Sequence, residues 1–406
     1  MPHARTIPAD DPGATPGLQR QGHHGSGPRH AGHRRHARRS RRRSGNATRT
    51  ARPHLRSAHH MTSPRPEFGV YIHVPFCSRR CDYCAFATWD DKAGQIDGYM
   101  AALFAEVQRA TEVGMPVAGT VFVGGGTPSL VPGELLATVI AAVPKTPDAE
   151  VTVECNPDNV TESLLRTYRE AGVNRISLGV QSMVPHVLAA LGREHDPHNV
   201  VAAVEAINNV GIPTFNLDLI YGAHGETLDD WRSSLRSALA LKPPHVSAYA
   251  LTVEAGTPLA DDEARHPDDD DQADKYPLAD AAFEAAGLGN YEISNWARPG
   301  HESRHNRLYW AQADYRGFGC AAHSHTAGRR WWNVRTPERY IDLVNWGEST
   351  EAAFEQLTTD QVAAERVQLT IRRREGAALA DIAPERRVEI DEMANDGLLV
   401  VEDDRV

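Results

Sequence analysis

From residue 69 the chain alternates short apolar runs with amphipathic ones. Gly69–Val74 alternates apolar and polar side chains at the two-residue period of a strand. Ile96, Tyr99, Met100, Leu103, Phe104 and Val107 fall on one helical face. Thr120–Val123 reads as a short buried strand, followed by a glycine-rich turn and a helix over 133–142. Glu150–Cys155 is the next strand, and Thr161 can cap a helix that ends near Gly172. The pattern then predicts a strand over 175–180, a helix over 197–210 and a strand over 214–220. A helix capped by Thr227 and a strand over 245–251 follow. Apolar strands alternating with amphipathic helices indicate a parallel sheet with helices outside. Six such units are too few for a closed eight-unit barrel, so the fold class expected is α/β, an open six-unit partial TIM barrel.

The flanks read differently. Residues 1–60 hold 13 Arg, no Lys, two acids and 9 of the 20 His, with no apolar period. Such a segment cannot bury enough surface to offset its ordering entropy. It is expected to be a disordered extension, or sequence mis-assigned upstream of a true start at Met61. Residues 261–271 read as an acidic solvated linker before a helix over 273–286. Residues 61–260 are expected to form the barrel, and 261–345, rich in Trp, Tyr, His and Gly, an extension completing the barrel side. A small helical or winged-helix-like domain is expected over 346–406.

Charge sharpens this division. Outside the basic arm the chain carries 30 basic and 52 acidic side chains, a net of −22, which argues against nucleic-acid binding through the folded part. No run approaches the roughly 18 apolar residues of a membrane span, and the start lacks a secretory core, so a cytoplasmic protein is expected.

Three of the five cysteines crowd into Cys77-Ser-Arg-Arg-Cys81-Asp-Tyr-Cys84, on the loop after the first strand. A disulfide framework would spread and pair its cysteines. A cubane [4Fe–4S] cluster takes one thiolate per iron, so three cysteines leave one iron open. The amino and carboxylate groups of S-adenosylmethionine can fill that place. An electron from the cluster then cleaves the sulfonium bond to a 5′-deoxyadenosyl radical. Arg79 and Arg80 can offset the cluster's charge, and Tyr83 can pack on the nucleoside. A zinc site would take a fourth ligand at a second knuckle, whereas Cys155 and Cys320 are single and distant and read as packing cysteines. One βα unit later comes Gly124-Gly-Gly-Thr127-Pro128, where missing Cβ atoms let carbonyls approach an ammonium. Glu154, Gln181, Arg193 and Asp218 stand at or near later strand ends, where α/β folds place ligands; each is alternatively a cap or a loop salt bridge.

These segments, together with Gly172–Ser182, Phe215–Gly222 and His305-Asn-Arg-Leu-Tyr309-Trp310, resemble the coproporphyrinogen dehydrogenase-like branch of radical S-adenosylmethionine proteins, and within it the heme chaperones. The resemblance covers about residues 67–400. It implies that Tyr71, Gly125, Gly126, Thr127 and Glu154 contact the cluster-bound S-adenosylmethionine. Residues matching Gln181, Arg193, Asp218 and Thr252 contact a second molecule in the dehydrogenase. It associates His305, Tyr309 and Trp310 with heme, His305 as iron ligand; alternatively His305 is a hydrogen-bonding histidine beside an aromatic core. The dehydrogenase pattern has a further cysteine where this chain has Phe86, which favours the chaperone. The chain departs from the branch at Gly222-Ala-His224, usually Gly-Leu-Pro, and at Gly319-Cys-Ala321-Ala-His323-Ser324, usually Gly-Cys-Gly-Ala-His-Ser.

The resemblance therefore implies a protein that takes up heme and hands it to an acceptor such as a respiratory protein, with an electron donor such as flavodoxin or ferredoxin. The alternatives are oxygen-independent coproporphyrinogen III dehydrogenation and radical chemistry on an unrelated substrate.

Overall fold

The structure is a computed structural model and describes residues 68–406. The expectations for residues 1–60 and for a start at Met61 lie outside the described residues.

The chain order opens with β1 (Gly69–Val74), α1 (Ile96–Glu112), β2 (Ala118–Gly125), α2 (Gly133–Ala142), β3 (Lys145–Cys155) and α3 (Glu162–Glu170). It continues through β4 (Arg175–Gln181), α4 (Pro185–Ala190), α5 (Pro197–Val210), β5 (Thr214–Tyr221), α6 (Leu228–Ala240) and β6 (His245–Ala250). Strands β1 to β6 pair in sequence, all parallel. The predicted βα alternation is thus present, and the sheet stays open. Thr161 caps α3 by accepting from the Leu164 N–H, and Thr227 with Asp230 forms a capping box on α6. The short helix α4 was not predicted; six residues carry too little periodicity to detect.

Next come α7 (Asp269–Ala285), β7 (Gly289–Glu292), β8 (Asn295–Ala297), α8 (Arg304–Trp310), β9 (Tyr315–Phe318), β10 (His323–Thr326) and β11 (Arg329–Asn333). The chain closes with α9 (Pro337–Trp346), β12 (Glu351–Gln356), α10 (Thr359–Thr370) and α11 (Arg387–Asn395). The acidic run is not wholly linker: Asp268 caps α7 and Asp269 to Asp271 form its first turn, where the helix dipole favours acids. Strands β8 and β7 extend the sheet beyond β6. On the other side β9 runs parallel to β1, and β10, β11 and β12 follow it antiparallel.

The hydrophobic core lies between the sheet and its outer helices. Val70, Ile72 and Val74 of β1 bury one face there with Tyr99, Leu103 and Val107 of α1. The opposite face of β1, carrying Tyr71 and His73, looks into the open barrel. Because the six strands are parallel, their C-terminal ends meet at one mouth, and the cysteine loop rises from it.

Candidate cluster and cofactor site

The loop after β1 is pinned before any ligand is considered. Its ends form a short parallel bridge, with the Cys77 N–H donating to the Trp89 carbonyl and the Trp89 N–H to the Pro75 carbonyl, 3.0 and 2.8 Å. The Cys84 N–H turns back to the Cys81 carbonyl at 3.1 Å. Arg80 donates through Nε and Nη2 to the Cys84 carbonyl, 3.2 and 2.9 Å, so it braces the loop as well as carrying charge. Arg79 pairs with Glu194. From the far side Arg265 donates to Asp82 Oδ2 at 2.7 Å, and the Leu259 N–H donates to the Asp82 carbonyl at 2.9 Å. Tyr83 packs into a small apolar cluster with Val187, Leu191, Ile220 and Leu259.

All three cysteines are half-buried free thiols. Burial pushes Cys77 up to about 11, against the pull of the neighbouring Thr127 hydroxyl, and burial raises Cys84 too. Thr88 is buried beside both thiols, and its hydroxyl pulls each of them down; its role was not legible in the sequence. A cubane seats each thiolate on a different iron, so its ligands need not converge. Among the described residues no three His, Cys, Asp or Glu groups converge as a single metal ion requires.

The glycine turn forms the floor. The Gly126 N–H donates to the Val74 carbonyl and the Thr127 N–H to the Phe76 carbonyl, both at 2.7 Å. A Cβ at Gly126 would lie 2.6 Å from the Phe76 carbonyl oxygen and 3.0 Å from Cys77 Sγ. One at Gly125, where φ is +115°, would lie 2.5 Å from the His73 ring. Only glycine fits this cradle. Soft thiolates above and a side-chain-free floor below fit a cluster with a small amino-acid ligand. Cys155 and Cys320 are buried packing residues, as expected.

Inside the barrel, Glu154 accepts from the Gly125 N–H at 3.2 Å, and burial, then the charge of Asp218, pushes its carboxyl up to about 8. Asp218 accepts from Ser177 and Asn216, each at 2.7 Å, and burial raises its carboxyl despite those bonds. Together with Phe122 and Tyr249 these side chains line a cavity between the strands.

The chain resembles known proteins over most of its length. Residues 71–238 match the radical SAM superfamily model. The chain is 43% identical over 355 residues to a heme chaperone HemW of Mycobacterium tuberculosis, covering 84% of this chain and 91% of that one. The chain belongs to the HemW family of radical SAM proteins. A HemW of Escherichia coli K12 is 37% identical, covering 71% and 81%. Among solved structures, the coproporphyrinogen III oxidase HemN of Escherichia coli superposes with a TM-score of 0.74 at 22% identity, covering 84% and 87%; that likeness concerns the fold.

The remaining positions singled out from the HemW-like pattern take varied places. Tyr71 donates to or accepts from His73 Nδ1 at 3.0 Å on the inner face, and His73 Nε2 meets the Ala87 carbonyl. Gln181 ends β4 with a left-handed φ of +60°. Arg193 donates to the Gly179 carbonyl at 2.8 Å and approaches Cys81 Sγ at 3.6 Å, while its buried Nε has no partner among the described residues. Thr252 is exposed beyond β6. His305 is buried, and both ring nitrogens are engaged, by Thr120 Oγ1 at 2.8 Å and Tyr309 OH at 3.0 Å. Its ring stacks on Phe122 at 5.3 Å, and burial holds it down at about 3. Trp310 is buried under the Arg372 guanidinium, 4.4 Å away. In this conformation His305 is a strut between α8 and β2, with neither nitrogen open to iron.

Proposed function

We propose that this protein binds heme and delivers it to an acceptor protein, carrying a [4Fe–4S] cluster on Cys77, Cys81 and Cys84 with S-adenosylmethionine at the open iron. The observation that supports it most is a braced three-thiol loop over a glycine cradle, in a chain belonging to a family whose curated members are named heme chaperones. When bound, the cluster and S-adenosylmethionine supply a reductively generated adenosyl radical. The chain's own residues hold and orient. Gly125 and Gly126 admit the ligand's amino-acid end, with Thr127 beside it. Glu154 and Tyr71 stand on the inner wall for polar contacts, and Tyr83 offers a ring to the nucleoside. Gln181, Arg193, Asp218 and Thr252 are the positions proposed for a second molecule; Asp218 would have to exchange existing hydrogen bonds to serve it. The cluster's electron would come from a small donor such as flavodoxin or ferredoxin. We place the protein in the cytoplasm; no helix among the described residues is long and apolar enough to cross a membrane. The segment 261–345 is the proposed heme region.

Coproporphyrinogen dehydrogenation is the second reading. Phe86, half exposed where the dehydrogenase pattern carries a further cysteine, favours heme delivery over it. Anaerobic reconstitution followed by heme titration separates the two. Stable heme uptake without coproporphyrinogen turnover is expected. Turnover to protoporphyrinogen would overturn the reading.

A further inference from the structure

We infer that heme sits on the inner sheet face beside the cluster loop, with His323 as the iron ligand and Trp332 as the ring packed behind it. This rests on the heme-binding reading above.

The sheet register brings the parts together. Tyr71 of β1 pairs with Gly317 of β9, and His323 of β10 pairs with Trp332 of β11. Gly317 faces His323 directly: a Cβ there would collide with the His323 carbonyl oxygen. One row therefore runs Tyr71, Gly317, His323, Trp332 across four strands, and residues in such a row share a face. It is the inner face, since the Tyr71 ring lies against Phe122, 6.4 Å away at 22°, and its hydroxyl bonds His73. Gly317 puts no side chain between Tyr71 and His323. The His323 carbonyl and the Ala322 Cβ fill the place a side chain at Gly317 would take, so His323 is packed directly onto β9.

His323 combines solvent access with a stacked ring, whereas His195 and His325, which also carry unpartnered ring nitrogens among the described residues, are buried. His73, His245 and His305 each have both ring nitrogens bonded. His325, two residues on, is buried, with Nδ1 against the Ala313 carbonyl. His323 is exposed, and among the described residues nothing bonds either nitrogen. Its ring stacks on Trp332 at 5.7 Å and 27°, which fixes the imidazole plane. His224 is also exposed, but no ring stacks beside it among the described residues. The exposed ring of Phe86 adds apolar surface to the cluster loop, next to Ala87, whose carbonyl meets His73.

The test titrates heme anaerobically into the full, cluster-reconstituted chain and into His323→Ala, Trp332→Ala and His224→Ala, following the Soret band and the ferric EPR signal. Wild type and His224→Ala should show the same histidine-ligated spectrum. His323→Ala should keep its cluster absorption, lose that spectrum and bind about tenfold more weakly or worse. Added imidazole should restore the ligand signature. Trp332→Ala should weaken binding while keeping the ligand signature. A His323→Ala spectrum and affinity equal to wild type would overturn this inference and leave the heme reading standing. Failure of wild type to bind heme would overturn the reading and this inference with it.

Discussion

Ala321 holds a left-handed backbone, φ +54°. A Cβ in that region costs about 1 kcal/mol. Ala321→Gly should therefore raise the thermal midpoint, measured by calorimetry; a lowered midpoint would contradict the strain. Gly126 presents the opposite case. Gly126→Ala forces a methyl against Cys77 Sγ and the Phe76 carbonyl. The variant should fold, by circular dichroism, yet retain little of the cluster's visible absorption after reconstitution. Full retention would show that the floor tolerates a side chain. Glu154 makes a third prediction, in pH. Its folded-state value of about 8 stands above the ordinary 4.5 of the unfolded chain. The folded state therefore binds the proton more tightly, and stability falls as pH rises from about 4.5 to about 8. Glu154→Gln should flatten that part of the cluster-free protein's stability profile; an unchanged slope would remove Glu154 as its source. These residues differ in legibility. The cysteines and glycines were readable because each motif is contiguous. Thr88 was not, since its contact with two thiols exists only once the loop closes.

At the scale of elements, local signals read well and long-range ones did not. Thr161 and Thr227 marked their helices because a cap is a contact over three residues. Four consecutive acids read as solvated linker at the start of α7, yet Asp268 caps it and its neighbours suit the helix dipole. The joints between elements were invisible. Asp82 meets Arg265 across 183 positions. Buried Glu106 of α1 accepts from Tyr340 OH at 2.5 Å, Thr350 Oγ1 at 2.7 Å and the Gly319 N–H at 3.2 Å, tying α1 to α9 and the loop before β10. No pattern within α1 announces those partners. Glu106→Ala leaves the Tyr340 hydroxyl and the Gly319 N–H without this acceptor, at about 1–3 kcal/mol each, while Thr350 keeps Asn333 Oδ1. A loss of several degrees in thermal midpoint is expected, and a change within error would show that the joint relaxes.

Across the whole molecule, the six parallel strands direct their C-terminal loops to one mouth, and β9 to β12 carry the wall onward from β1. The barrel followed from the alternation of strands and helices. The wall did not, because its strands are four to six residues long and lack strict alternation. That wall is where this account places the cargo, one strand removed from the strand that leads into the cysteine loop. The most direct measurement is the EPR spectrum of the reduced, reconstituted chain with and without S-adenosylmethionine. A cubane signal that shifts on addition, and that is lost when Cys77, Cys81 and Cys84 are all changed to Ser, is the expected result. A signal indifferent to the sulfonium ligand, or one that survives the triple substitution, would contradict it.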